Sequence, residues 1–232
     1  IVTMAFILFK SQDCQFIISG DPQQIQPVKQ NEVQPENIYQ MVGLNSFAAA
    51  QNNPKVECLN TQYRSIPTIG DLVSKFSYNG IVKSNRSQSS QKPLNLGFKI
   101  SSINYIGFKT ELLDNLYGLD AIDESAFHLY SAIFGYEYAS YISRKVEESN
   151  PSEQYSIGIV CPYKKQADSI KQMIELRDIS NESCKVQCGT VHSFQGDECD
   201  IMIVVLNPPI NVGKNSHVNN QNIINVAISR AK

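Results

Sequence analysis

The residues best suited to chemistry in this sequence lie beside its most apolar segment. The segment FQGDE (194–198) comes shortly before the apolar run 201–206. This order places an amide, a glycine and carboxylates in a predicted tight turn, next to a predicted buried strand. The turn is therefore the first candidate for a functional site, with Gly196 and Glu198 as its candidate residues.

Four other polar groups stand at the ends of predicted elements. They are Asp21 with Gln24, Gln62 with Tyr63 and Arg64, Pro162 with Tyr163 and Gln166, and Arg230. Each has a structural explanation when taken singly, since Asp21 can close a turn and Arg230 can complement a helix dipole. Together, two arginines, two glutamines and a glutamate suit a nucleoside triphosphate. Phosphoryl transfer depends on positioning and on positive charge around the γ-phosphate, which the arginine fork supplies.

Alternating strands and helices would bring these polar groups to one edge of a sheet. Hydrophobic periodicity predicts strands at 16–20, 56–60, 155–163, 185–191 and 201–206, and an extended segment at 98–108. It predicts helices at 36–44, 66–80, 124–148, 164–178 and 220–232, and polar loops at 82–95 and 207–218. Several strands are almost entirely apolar, which favours an α/β fold with a parallel sheet covered by helices on both faces. Ligands of such sheets bind at the carboxyl ends of the strands.

Composition narrows the classes of function. The net charge of -2 disfavours binding of nucleic acid through bulk charge alone but leaves a local groove open. No apolar run approaches the roughly 20 residues of a bilayer helix, so no membrane partner is expected. The start of the sequence has neither a secretory signal nor an initiator methionine, and both ends are interpreted as cut points.

The cysteines favour reduced thiols over a disulfide framework or a metal site. Six cysteines are spread over 232 residues, as is typical of a cytosolic protein. Cys184, Cys188 and His192 have a spacing that could suggest zinc. The two cysteines lie on a predicted strand and alternate poorly with the histidine, so we expect no metal site.

Five segments taken in order carry a family resemblance. GDPQQIQP, LNTQYRSIP, VCPYKKQ, TVHSFQGDECDIMIV and NVAISRAK resemble motifs III to VI of superfamily 1 helicases, in the 1B branch typified by the nonsense-mediated-decay helicase and its DNA-replication relatives. The resemblance covers most of the chain except about 84–150. It implies a RecA-like fold and a parent enzyme that hydrolyses ATP with Mg²⁺ while acting on single-stranded DNA or RNA. The polar turn before the apolar strand is then motif V, which couples the nucleotide site to the nucleic-acid groove.

The resemblance also implies roles for single residues. The catalytic group contains the γ-phosphate-sensing glutamine, the two arginine fingers and the motif V carboxylate, which are Gln24, Arg64, Arg230 and Glu198. The ATP-binding group contains Asp21, Gln62, Tyr63 beside the base, and Gly196. The nucleic-acid group touches phosphates or sugars and contains Pro162, Tyr163, Gln166, Thr190 and His192.

The sequence departs from the family pattern in three ways. Ser65 and Ile66 replace the methionine and histidine that often precede the proline, and Asp197 stands where a basic residue is common. No G-x-x-x-x-G-K-[ST] loop is present, and no Asp-Glu pair stands before IVTMAF at the start of the sequence. The resemblance therefore implies that residues 1–57 end a first RecA-like domain and that 58–232 form the second, with an insertion at about 84–150. The chain alone is expected to be inactive, to partner an upstream domain, and to be cytoplasmic, or nuclear in a eukaryote.

Two other functions remain open. A helicase-like module could bind nucleic acid or a partner without hydrolysing ATP, although retention of all four catalytic residues speaks against it. The chain could also belong to a small-molecule P-loop kinase or another class of ATPase. The segments PY..Q and TVHSFQG have no role in such enzymes and therefore favour the helicase.

Overall fold

A computed structural model describes residues 2–9, 15, 17–25, 38–44, 46–107, 120–122, 125–206 and 220–232. Its helices are α1 (Val2–Phe9), α2 (Ile38–Met41), α3 (Phe47–Gln51), α4 (Pro67–Ser77), α5 (Leu129–Ser149), α6 (Lys164–Leu176) and α7 (Gln221–Ile228), with a 3-10 turn at Gln88–Ser90. Its strands are β1 (Thr61–Gln62), β2 (Lys83–Ser84), β3 (Asp120–Ile122), β4 (Ser125–Phe127), β5 (Tyr155–Cys161), β6 (Cys184–Thr190) and β7 (Ile201–Val204).

The central sheet is parallel and has the strand order β6-β5-β7. Ile157 of β5 stands opposite Val186 of β6 and Ile201 of β7. At the carboxyl end, Cys161 stands opposite Thr190. The polar segments that follow β5 and β6 therefore begin at the same edge, as expected for a parallel sheet.

Glu198 instead precedes β7 at its amino end, where Asp200 accepts from the backbone N–H of Ser156 at the start of β5. The prediction that all the polar groups meet at one edge of the sheet is therefore wrong.

Helices cover both faces of this sheet. Ile157, Ile159 and Cys161 of β5 face the larger core, which α5 and α6 complete. Val160 faces the opposite side and packs with Val226 and its neighbours on α7. Because successive side chains of a strand alternate between the two faces, β5 must be apolar at nearly every position. The predicted α/β class, with a parallel sheet covered by helices on both faces, is confirmed.

A small parallel pair, β1 with β2, lies beside α4. Pro67 occupies the first turn of α4, where its missing N–H costs no helical hydrogen bond. Gly80 follows the helix with φ +76°, a backbone conformation that glycine adopts at little cost. The helix predicted at 66–80 is thereby confirmed, and α4 contacts α7.

Several sequence predictions need correction. Residues 17–20 form no strand, because no segment in the described ranges pairs with them. Ile17 is 99% exposed. The strand expected at 56–60 is displaced to Thr61–Gln62, and 98–107 form no strand. Residues 16 and 108, like the loop predicted at 207–218, lie outside the described residues.

The helix predicted from residue 124 begins later than expected. Strand β4 precedes it, and the buried side chain of His128 caps the first turn by accepting from the backbone N–H of Ser131 over 3.3 Å. This side-chain cap satisfies a backbone N–H of the first turn, so α5 can begin at Leu129. No helix in the described part of the chain has the length and apolarity of a membrane span. The domain division after residue 57 stays a prediction.

Candidate functional site

Arg64 lies in the turn between β1 and α4 and contacts residues far away in the sequence. Its Nε donates to Oε2 of Glu198 over 2.8 Å, and its Nη1 donates to the carbonyl of Ser229 over 3.2 Å. Lys232 Nζ lies 3.1 Å from the other carboxylate oxygen of Glu198. The hydrogen bond from Arg64, followed by that from Lys232, holds the pKa of the Glu198 carboxyl below its usual range.

Arg230 follows the last residue of α7 by two positions and is only 3% exposed. Its Nε donates to the carbonyl of Val226 over 3.1 Å, and its Nη2 donates to Oγ of Ser229 over 3.3 Å. Burial, followed by repulsion from Arg64, lowers the pKa of this guanidinium, which nevertheless stays charged. Two arginine cations that repel each other beside the start of β7 form a site that an anion would stabilise.

The side chain of Gln62 shapes the backbone around Arg64. Its Oε1 accepts from the backbone N–H groups of Arg64 (2.9 Å) and Ser65 (2.8 Å). Its Nε2 donates to the carbonyl of Ser65 and to Oγ of Ser84, both over 2.7 Å. All four of these bonds are made within the protein, and the expected contact of Gln62 with ATP stays a prediction. The next residue, Tyr63, is 69% exposed.

The end of the chain is joined to the same turn. Oγ of Ser65 donates to the carbonyl of Ala231 over 2.5 Å. The backbone of Cys199 exchanges two 3.0 Å hydrogen bonds with that of Arg230 and Lys232. These bonds gather the segments 64–65, 198–199 and 229–232 at one place.

The segment containing Asp21 and Gln24 is bonded to α7. Oδ2 of Asp21 accepts from the hydroxyl of Tyr78 over 2.6 Å and from Nε2 of Gln24 over 3.1 Å. Asn225 Nδ2 donates to the Tyr78 hydroxyl over 3.0 Å, and Asn222 Nδ2 donates to the Gln24 carbonyl over 2.9 Å. Burial, followed by the hydrogen bond to Asp21, raises the pKa of Tyr78. Gln24 is thereby attached to the helix that ends near Arg230.

Gly196 occupies the polar turn between β6 and β7 with φ +102°. A Cβ added there would have no heavy atom within 4 Å, so the position faces open space. The requirement for glycine comes from the backbone conformation, since φ in this range strains other residues. Gly196 and Glu198 therefore lie on one exposed turn, as the sequence predicts.

A cavity of about 510 Å³ opens at the carboxyl ends of β5 and β6. Its lining includes four of the five residues expected to contact nucleic acid, which are Pro162, Tyr163, Thr190 and His192. Lys164 and Lys171 of α6 add positive charge, and Asp168 and Ser193 complete the lining. The sequence interpretation missed both lysines, although the pair KK directly after Tyr163 was a usable signal for Lys164.

Gln166, the fifth residue expected there, is a correction. It is 2% exposed, and its side chain binds the backbone of His128 on both sides. Oε1 accepts from the His128 N–H over 2.8 Å, and Nε2 donates to the His128 carbonyl over 3.2 Å. Its amide therefore joins the start of α5 to α6 and is buried, so it has no surface to offer a ligand.

Burial in the core explains the two cysteines of the zinc-like pattern. Cys184 and Cys188 lie on β6 and face the larger core, whereas His192 lies at the cavity after the strand. Within the described residues, no group of three histidine, cysteine or carboxylate side chains could hold a metal ion.

Comparisons with known proteins relate the chain to helicases. The model of a family described as an AAA domain matches residues 43–232. Putative helicase mov-10-B.1 of Danio rerio is 25% identical over 262 residues, and putative helicase mov-10-B.2 of the same fish is 25% identical over 260 residues. Both alignments include 97% of this chain but only 24% of the relative, so the chain spans about a quarter of the length of these curated relatives. The similarities support a helicase-related function.

Proposed function

Because the chain belongs to the AAA-domain family matched over residues 43–232 and has the features of a superfamily 1 helicase C-terminal domain, we propose that it forms part of an ATP-dependent helicase or translocase. The single-stranded substrate is DNA or RNA. The observation that carries this proposal is the meeting of Arg64, Arg230 and Lys232 around Glu198, just before the amino end of β7.

These residues fit the triphosphate of ATP. Arg64, Arg230 and Lys232 are three cations, of which Arg64 and Lys232 share the one carboxylate of Glu198. A bound anion would reduce the repulsion between the two arginines and compete with Glu198 for Arg64. ATP supplies the phosphoryl group that is transferred to water. The chain's own contribution is charge and orientation, and an arginine finger can contribute about 10³–10⁵ in rate.

Among the described residues, no group of three histidine, cysteine or carboxylate side chains could hold a metal ion, and Glu198 is already paired with two cations. Mg²⁺ in nucleotide sites is commonly bound by phosphate oxygens, waters and one or two carboxylates. We therefore assign no residue of this chain to the metal and expect its protein ligands in the upstream RecA-like domain.

The cavity beside Tyr163 is the proposed contact with the single strand. Lys164 and Lys171 can attract phosphates, while the exposed ring of a base can stack on an aromatic side chain such as Tyr163. Thr190 and His192 add polar groups that can reach phosphate or sugar. Such contacts do not read sequence, which suits an enzyme that moves along its substrate.

The test is ATP hydrolysis by the natural full-length protein, with and without polyuridylate RNA or polythymidylate DNA. Arg64→Ala is compared with the matched control Arg144→Ala, which removes an exposed arginine on α5. We expect stimulation by one polymer and a loss of turnover of about 10³-fold in Arg64→Ala only. Near-normal hydrolysis in Arg64→Ala would refute the proposed role of the arginine. Tight strand binding without hydrolysis would instead favour the non-hydrolysing module.

A further inference from the structure

Arg86 lies in the polar segment after β2, outside every helicase-like motif, and its guanidinium has three protein acceptors. Nη1 donates to the backbone carbonyl of Arg64 over 2.5 Å. Nε donates to Oγ of Ser90 over 3.2 Å, and Nη2 donates to the Ser90 carbonyl over 3.1 Å. The side chain is half-buried and thus connects the serine-rich 3-10 turn to the residue proposed as an arginine finger.

The neighbouring backbone carries Arg86 to this position. Strands β1 and β2 pair in parallel, and the N–H of Asn85 continues the pairing by donating to the Gln62 carbonyl over 2.9 Å. Gln88 accepts from the N–H (3.2 Å) and the hydroxyl (2.8 Å) of Thr68 at the start of α4. The segment 85–90 therefore contacts the Arg64 turn on both sides.

The contacts of Arg86 indicate a role in placement. A guanidinium that donates to a carbonyl makes a charge-assisted hydrogen bond, which is stronger than a neutral one. The acceptor is the main chain of Arg64, and the side chain of Arg64 stays directed to Glu198 and Ser229. Gln62 binds the N–H of Arg64 while Arg86 binds its carbonyl, so both sides of the residue are held.

We propose that Arg86 is a positioning residue for Arg64, keeping its backbone where its guanidinium can reach the triphosphate. This inference rests on the proposed function. The first part of the predicted 84–150 insertion would then help to position a residue of the nucleotide site. A displacement of about 1 Å at a reacting group can cost 10²-fold in rate, so loss of this contact should impair turnover without removing the finger.

The first experiment measures backbone amide hydrogen exchange in the nucleotide-free, full-length protein. We expect Arg86→Gln to accelerate exchange in the peptide covering 62–68, where Gln62 and Arg86 restrain the backbone. The matched control Arg144→Gln removes an exposed arginine from α5 and should leave this peptide unchanged. Unchanged exchange at 62–68 in Arg86→Gln would overturn the proposal.

The second experiment measures polymer-stimulated ATP hydrolysis by Arg86→Gln, Arg64→Ala and the double variant. We expect Arg86→Gln to lower kcat by about 10²-fold with little change in KM for ATP. The double variant should be no slower than Arg64→Ala, because Arg86 acts through the guanidinium of Arg64, which is absent in both variants. Arg86→Lys retains one cationic donor and should recover part of the rate.

The two experiments separate the failure of this inference from failure of the proposed function. Normal turnover in Arg64→Ala would refute the proposed function and the inference with it. A slow Arg64→Ala beside a normal Arg86→Gln would refute the inference alone. Independent losses that add in the double variant would show that Arg86 acts elsewhere, and would also overturn it.

Discussion

The cluster around Glu198, which we propose as the nucleotide edge, and the cavity beside Tyr163 are built in different ways. The nucleotide edge, defined as Arg64, Glu198, Arg230 and Lys232, joins segments separated by 134 and 165 positions through ion pairs and backbone bonds. The cavity is formed by residues that directly follow or end two neighbouring strands, and by the helix that begins after one of them. The first depends on long-range side-chain contacts, whereas the second follows from the topology of a parallel sheet.

This difference predicts that the nucleotide edge is the more sensitive region. Arg64 and Lys232 both pair with Glu198, so the loss of this carboxylate releases two ion pairs at once. The cavity has several lining groups that act on a flexible polymer, so the loss of one removes only its own contribution. The following substitutions test the contrast, from the largest expected effect to the smallest.

Glu198→Gln should have the largest effect. The substitution removes the charge that holds Arg64 and Lys232 together, at 2.8 Å and 3.1 Å. We expect polymer-stimulated ATP hydrolysis to fall on the order of 10²-fold while strand affinity stays near normal. Asp168→Asn in the cavity is the matched control, and it should leave the rate of hydrolysis largely intact. Equal losses in both variants would contradict the contrast between the regions.

Tyr78→Phe tests the attachment of Gln24 to the nucleotide edge. The substitution removes the hydroxyl that donates to Asp21 and accepts from Asn225. Loss of a buried hydrogen-bond partner should lower the free energy of unfolding by about 1–3 kcal/mol. Chemical denaturation measures this loss, with Tyr105→Phe at a 95% exposed tyrosine as the control. Equal stability of the two variants would show that the network around Asp21 contributes little.

Lys171→Ala should produce a smaller and more selective change in the cavity. We expect weaker binding of single strands, and a slope of log affinity against log salt that is reduced by about 0.7. ATP hydrolysis at saturating polymer should stay near normal because the nucleotide edge is intact. Lys185→Ala, an exposed lysine of β6, serves as the control. An unchanged salt slope in Lys171→Ala would remove this lysine from the proposed interface.

The smallest expected effect is the pH dependence of the contribution that Glu198 makes to the free energy of unfolding, since its side chain is 43% exposed. Its pKa is lowered in the folded protein by Arg64 and Lys232, so its contribution to stability is present above the unfolded pKa of about 4.3. That contribution is lost as the pH falls through the lower folded pKa. Thermal unfolding of wild type and Glu198→Gln should therefore differ at pH 7 and converge at acidic pH. A difference in thermal stability between the two proteins that persists at acidic pH would contradict the assigned ion pairs.

The sequence predicted the secondary structure best where local periodicity and burial agree. Strand β5 and helices α4 and α6 were located closely, because β5 is apolar at nearly every position and the helices have end signals such as Pro67 and Gly80. The failures at 17–20 and 56–60 have a common reason. An apolar run becomes a strand only where another strand offers its hydrogen-bonding groups, and such a partner is not a local property.

The sequence by itself determined the class of fold, the order of the motifs and the residue types available at the strand ends. Tertiary structure decided which of those residues face a ligand and which hold other residues. Gln62 and Gln166 both belong to predicted site motifs, yet their amides bind backbone groups inside the protein. Lys232 and Arg86 gained their proposed importance only through contacts with Glu198 and Arg64. A side chain's type limits what it can bind, but its partners depend on which distant segments the packed helices and strands bring within hydrogen-bonding distance.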